Sequence, residues 1–154
     1  MRFALFAAAC LATAAWAAPQ EPLAFKGIAL GSAIAAVAND PRYDCRATSA
    51  PVADRICSLR SQEQETVAGA PVSSIFWFSY RGRVTSIVVN FDERHFSQVL
   101  SALQSKYGPG EARSETVQNL KGASFQNRIQ VWRQGGGTLQ AQRYAGRLDK
   151  SSLR

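Results

Sequence analysis

The sequence predicts an α+β domain in which an antiparallel sheet is packed by two helices. Residues 72–80 and 83–91 are rich in β-branched and aromatic side chains and are separated by a short turn, which is typical of a β-hairpin. Residues 92–107 carry an apolar repeat of helical spacing, and further strand-like segments follow within residues 114–144. The order helix, strands, helix, strands suggests two halves, each made of one helix and an antiparallel meander.

A short helix is predicted in the first half. Prolines keep residues 18–26 extended. Ser32 after Gly31 is suited to cap a helix whose apolar positions run to Ala38 before Pro41 ends the segment. An edge strand is expected near Glu65–Ala68.

The second helix has the most regular pattern of the chain. Asp92 is suited to cap it, and Gly108-Pro109 is suited to end it. Its apolar side chains share one face and are expected to dock on the sheet. These residues are Phe96, Val99, Leu100, Leu103 and Tyr107.

The last hairpin supplies the candidate binding surface. Segments 127–133 and 138–144 alternate in polarity around a three-glycine turn, so one face is predicted to be polar and open to solvent. Aromatic side chains beside amides and arginine are enriched where proteins contact one another. Either this face binds a partner, or Trp132 packs under a neighbouring loop or the C-terminal tail, residues 145–154, which is expected to fray. The proposed binding residues are Arg128, Gln130, Trp132, Gln140, Gln142 and Tyr144.

The N-terminus predicts a secretory signal peptide. An apolar run follows Arg2 and leads to a small-x-small pattern that ends at Ala17, so cleavage is expected there. A membrane anchor and a lipoprotein acylated at Cys10 are the alternatives. Cleavage leaves residues 18–154 as a single domain in the periplasm or outside the cell, without a transmembrane segment.

The two cysteines that remain after cleavage predict a disulfide. Cys45 and Cys57 lie in a polar, irregular segment, residues 41–61, which is expected to form a loop held by this bond. Their spacing matches neither a redox C-x-x-C motif nor a zinc site.

The charge of the chain indicates anionic partners. Without the leader, 17 basic and 11 acidic side chains give a net charge of +6. The arginines are scattered, so no nucleic-acid-binding arm is predicted. The expected partner is a protein or envelope component, and an anionic lipid or glycan surface is an alternative.

Catalysis is not predicted. His95 is the sole histidine, and the chain carries no nucleophile elbow and no phosphate-binding loop. We therefore predict no catalytic residue, metal or cofactor. A small envelope hydrolase built on paired carboxylates is the alternative, although neighbouring arginines favour salt bridges instead. Its candidate acids are Asp40, Asp44, Asp54, Glu63 and Glu65.

Two short stretches carry a resemblance. Residues 28–32 with Val37, and residues 103–109 ending Tyr107-Gly108-Pro109, resemble the turn-and-helix segments of small periplasmic domains typified by the outer-membrane assembly lipoprotein BamE and the secreted β-lactamase inhibitor protein. This resemblance implies a helix-on-sheet domain that binds other proteins and catalyses nothing. The chain differs from those domains in having single rather than paired helices.

Overall fold

The structure, a computed structural model, describes residues 22–154 and is mostly β. Half of these residues lie in strands, 14% are helical, and one helical segment of 15 residues is the substantial helix. The predicted α+β class with two packing helices is therefore wrong. The predicted signal peptide, residues 1–17, lies outside the described residues.

The strands form a nine-stranded antiparallel sheet and a separate two-stranded ribbon. The ribbon consists of β1 and β2, and β5 pairs with the first residues of β6. The strands are β1 Ala24–Phe25, β2 Ile28–Ala29, β3 Tyr43–Ala47, β4 Arg55–Leu59, β5 Thr66–Val67, β6 Ala70–Tyr80, β7 Arg83–Asp92, β8 Glu111–Gln118, β9 Ser124–Gln134, β10 Gly137–Gln142 and β11 Lys150–Leu153. The main sheet has the order β3-β4-β6-β7-β11-β10-β9-β8.

The predicted central hairpin and the predicted second helix are confirmed. The hairpin is β6–β7. The helix, α2, spans Phe96–Tyr107 and follows a 3₁₀ turn at Glu93–His95. The side chain of Asp92 accepts a hydrogen bond from the backbone N–H of Arg94, as a capping residue should. The helix packs on one face of the sheet, which we call the helix face.

The predicted first helix is reduced to a single turn. Helix α1 spans Ala35–Ala38, and Ser32 does not cap it. The carbonyl of Ser32 instead accepts a hydrogen bond from the N–H of Val84, so this segment pairs with the start of β7. Because strand-like pairing occupies the residues before Ile34, the helix begins later than the sequence pattern indicates.

Two segments predicted to be irregular are strands. Residues 41–61 contain the β3–β4 hairpin rather than a loop, and Cys45 pairs directly with Cys57 across it. The disulfide between these cysteines is confirmed, with sulfur atoms 2.01 Å apart. The tail, residues 145–154, is not frayed, because β11 lies between β7 and β10 with Ser151 and Leu153 buried. Backbone pairing on both sides compensates for its low apolar content.

The hydrophobic core lies between the helix face and the elements that cover it. Trp77, Ile75 and Phe91 are fully buried there, and Phe25 of β1 lies 6.0 Å from the Trp77 ring, measured between centroids. The opposite face carries the half-buried side chains of Phe76 and Phe78. Among the described helices, none is long and apolar enough to cross a membrane.

Candidate binding cleft

The six residues predicted to form one binding surface do not share a face. Gln134 pairs with Gly137, so the β9–β10 turn contains two residues, Gly135 and Gly136, both with positive φ. The sequence analysis predicted a turn of three glycines between these strands. One residue fewer shifts the register by one, which places Trp132 opposite Leu139 rather than opposite a glutamine.

This shift turns part of the predicted solvent face inward. Trp132 is 4% exposed and Gln130 is 2% exposed, so the premise of an open aromatic face is wrong. The indole Nε1 of Trp132 donates to the carbonyl oxygen of Gly108 over 2.8 Å, and its ring lies 6.5 Å from that of Tyr107. The side-chain amide of Gln130 donates to the carbonyl of Pro109. Both side chains therefore anchor the connection from α2 to β8.

The other four predicted residues are not grouped on one face of the sheet. Gln140 and Gln142 are half-buried and joined by a side-chain hydrogen bond of 3.3 Å. Tyr144 follows β10 and makes an edge contact with Phe125, with ring centroids 6.2 Å apart. Arg128 is exposed on the helix face. The set is thus divided between the two sides of the sheet.

The structure instead opens a cleft where the sheet is interrupted. Strand β11 covers positions 89–92 of β7 and positions 141–142 of β10, with one further backbone pair between Gln140 and Arg154. Residues 85–88 of β7 and 137–139 of β10 have no part of β11 between them. They face each other across a space about as wide as one strand. A gap between β7 and β10 therefore interrupts the sheet next to β11.

The cleft over this gap lies on the helix face, is mostly apolar and is partly open to solvent. The β1–β2 ribbon lies on one side, and the second half of α2 lies on the other. Its volume of about 710 Å³ falls within the range of small-molecule sites, about 300–1,000 Å³. The principal apolar side chains lining it are Phe25, Leu30, Ile87, Leu103, Leu139 and Leu153.

The charged side chains around the cleft have one sign. Lys26, Lys106 and Arg154 line it, whereas no acidic side chain of residues 22–154 does. Lys26 is paired with Glu65, with 2.8 Å between Nζ and Oε2. Lys106 lies over the ring of Tyr107 and has no salt bridge within the described part of the chain. The cleft therefore presents a basic rim to an incoming ligand.

Three of the five sequence-predicted carboxylates, Asp40, Asp54 and Glu65, are engaged in structural contacts. Asp40 and Glu65 both bind the guanidinium of Arg42. The hydrogen bond from Arg42 lowers the pKa of Asp40, and the one from Lys26 lowers the pKa of Glu65. Asp54 accepts hydrogen bonds from the hydroxyl of Ser79 and from a backbone N–H. Within residues 22–154, no three His, Cys, Asp or Glu side chains are grouped as a metal site requires.

Sequence reasoning missed the cleft because its residues come from six separated segments. Leu23 and Phe25 stand in the stretch interpreted as an extended lead-in, and Leu30 follows it before the predicted first helix; their spacing gives no periodic pattern. In the sequence, nothing distinguishes Lys106 from the other polar residues of an amphipathic helix. Only the packing of the ribbon beside α2 brings them together.

Comparison with protein-family models, with curated proteins and with solved structures gives no match to this chain. The resemblance to small periplasmic domains stays a prediction.

Proposed function

We propose that the protein is a non-catalytic binding protein, exported to the periplasm or beyond, that takes the apolar part of a protein or envelope component into the cleft. The observation that carries this proposal is the concave, mostly apolar cleft at the interruption of the sheet. A concave, mostly apolar site with a few polar groups is the usual form of a ligand site. The Cys45–Cys57 disulfide supports an oxidising compartment.

The alternative of a carboxylate-based hydrolase receives less support. A general acid must hold its proton near neutral pH, which requires a raised pKa. Asp40 and Glu65 have lowered pKa values because basic groups hydrogen-bond to their charged forms. Neither carboxylate lines the cleft. Their contacts are those of ion pairs that hold the β3–β4 and β5 region together.

A neutral apolar probe tests the proposal. N-phenyl-1-naphthylamine should bind the exported, purified protein saturably with increased fluorescence. Ala102 is exposed on α2 and lines the cleft, so Ala102→Phe should fill the site and abolish binding. Ser101 is exposed but does not line it, and Ser101→Phe is the matched control that should bind as the wild type does. Equal binding by the two variants, each folded by circular dichroism, would contradict the proposal.

A further inference from the structure

We infer that the cleft takes a single-chain amphiphile with an anionic head, its tail between α2 and the β1–β2 ribbon and its head at Lys106. This inference rests on the proposed function and specifies the ligand. The protein's net charge of +6 without the leader favours anions in general. The cleft adds a specific place where an apolar floor adjoins basic side chains.

The tail position follows from the lining. Ile87 and Leu139 lie on the two sides of the sheet gap, and Leu103 of α2 faces them. These side chains pack against the core cluster but remain partly exposed. An apolar ligand would therefore remove further apolar surface from water, at about 25 cal/mol per Å² of buried area.

The size of the cleft favours one tail rather than two. Its volume of about 710 Å³ suits a drug-sized molecule, which is smaller than a phospholipid with two acyl chains. The far end of the gap is closed, because the segment from Gly31 to Ala33 pairs with the start of β7. A peptide strand inserted there would have about four residues of β7, positions 85–88, to pair with. An alkyl tail has no such requirement for backbone pairing.

The head position follows from the charges. Lys26 already has a carboxylate partner in Glu65, with its Nζ 2.8 Å from that oxygen. Lys106 is exposed and has no ion pair within residues 22–154, so its ammonium is available to a ligand. No acidic side chain of the described residues lines the cleft, so an anionic head at Lys106 adjoins basic side chains of the lining.

Competition among surfactants that share one tail tests the inference. Dodecanoate, dodecanol and dodecyltrimethylammonium, each below its micelle concentration, compete with bound N-phenyl-1-naphthylamine. Dodecanoate should displace the probe at a concentration roughly three- to tenfold lower than dodecyltrimethylammonium does, and this advantage should shrink as salt rises. Lauroyl lysophosphatidylglycerol in a parallel arm distinguishes a lipid phosphate head from a free carboxylate, and tighter binding of either one supports the inference.

Charge reversal at the rim supplies the matched variants. Lys106→Glu should weaken dodecanoate binding roughly three- to tenfold more than it weakens binding of the neutral probe. Lys121→Glu makes the same charge change at the exposed β8–β9 turn and should leave dodecanoate binding unaltered. Equal competition by the anionic and cationic surfactants, or equal effects of the two variants, would overturn the inference. Continued binding of the neutral probe would then leave the proposed function standing, whereas absence of probe binding would refute both.

Discussion

Reduction of the Cys45–Cys57 disulfide should destabilise the protein by about 3 kcal/mol. The two cysteines are separated by 12 positions and pair directly across β3–β4. Closing a loop of this length removes roughly 10 cal/mol/K of entropy from the unfolded chain, which corresponds to about 3 kcal/mol at 25 °C. Strand β3 is the outermost strand of the sheet, and its residue Tyr43 is buried in contact with Trp77. Fraying of β3 therefore exposes the core, and the loss should appear in global unfolding.

Urea unfolding followed by tryptophan fluorescence measures this effect. With a urea dependence of about 1–3 kcal/mol per molar, the reduced protein should unfold at a midpoint roughly 1–3 M lower than the oxidised protein. The double variant Cys45→Ala/Cys57→Ala should not respond to reductant, and it controls for effects of the reductant elsewhere. Oxidised and reduced wild-type proteins with midpoints that differ by less than about 0.3 M would refute the reasoning.

Three further changes should have measurable effects. Gly110→Ala should lower the free energy of unfolding by about 2–5 kcal/mol, because its φ is +64° and a Cβ there would lie 2.7 Å from the indole nitrogen of Trp132. Gly122→Ala, at a φ of +82° with open space around it, should cost only about 1–2 kcal/mol. Equal losses in thermal unfolding would argue against the clash. Trp132→Phe should cost about 1–3 kcal/mol, since the carbonyl that ends α2 loses its donor, and an unchanged melting temperature would show that this anchor is dispensable. The pKa of Glu65 lies below its ordinary value of 4.5 because Lys26 donates a hydrogen bond to its carboxylate. The stabilising effect of this carboxylate should therefore be present above pH 4.5 and lost as pH falls through the lower folded-state pKa. The difference in melting temperature between wild type and Glu65→Gln should shrink from pH 7 to pH 3, and a constant difference would contradict this.

The error in the candidate site can be traced to one residue of turn length. The glycine run allows either a two- or a three-residue connection between β9 and β10, and both connections preserve the alternation within each strand. The choice decides whether Trp132 lies opposite Gln140 or opposite Leu139, which is its partner in the structure. The sequence offers no local preference between them, because glycines accept the positive φ of either turn. The packing of Trp132 against the end of α2 favours the two-residue turn over the three-residue turn.

The elements that depend on neighbouring residues in the chain could be predicted from the sequence. The β6–β7 hairpin follows from two dense apolar runs around one turn, and α2 follows from a 3.6-residue repeat with a capping aspartate. The Cys45–Cys57 disulfide follows from the cysteine count once the leader is set aside.

The elements that depend on partners distant in the chain could not be predicted from the sequence, because they form only in the folded sheet. Strand β11 has too few apolar residues to predict a strand, and it forms because β7 and β10 pair with its backbone on both sides. The β3–β4 hairpin is likewise held by β6. The cleft lies between the β1–β2 ribbon and α2, over the gap between β7 and β10. Backbone hydrogen bonds form between residues of any side-chain type, so the amino-acid pattern does not predict these pairings and gaps. They form when the whole sheet assembles.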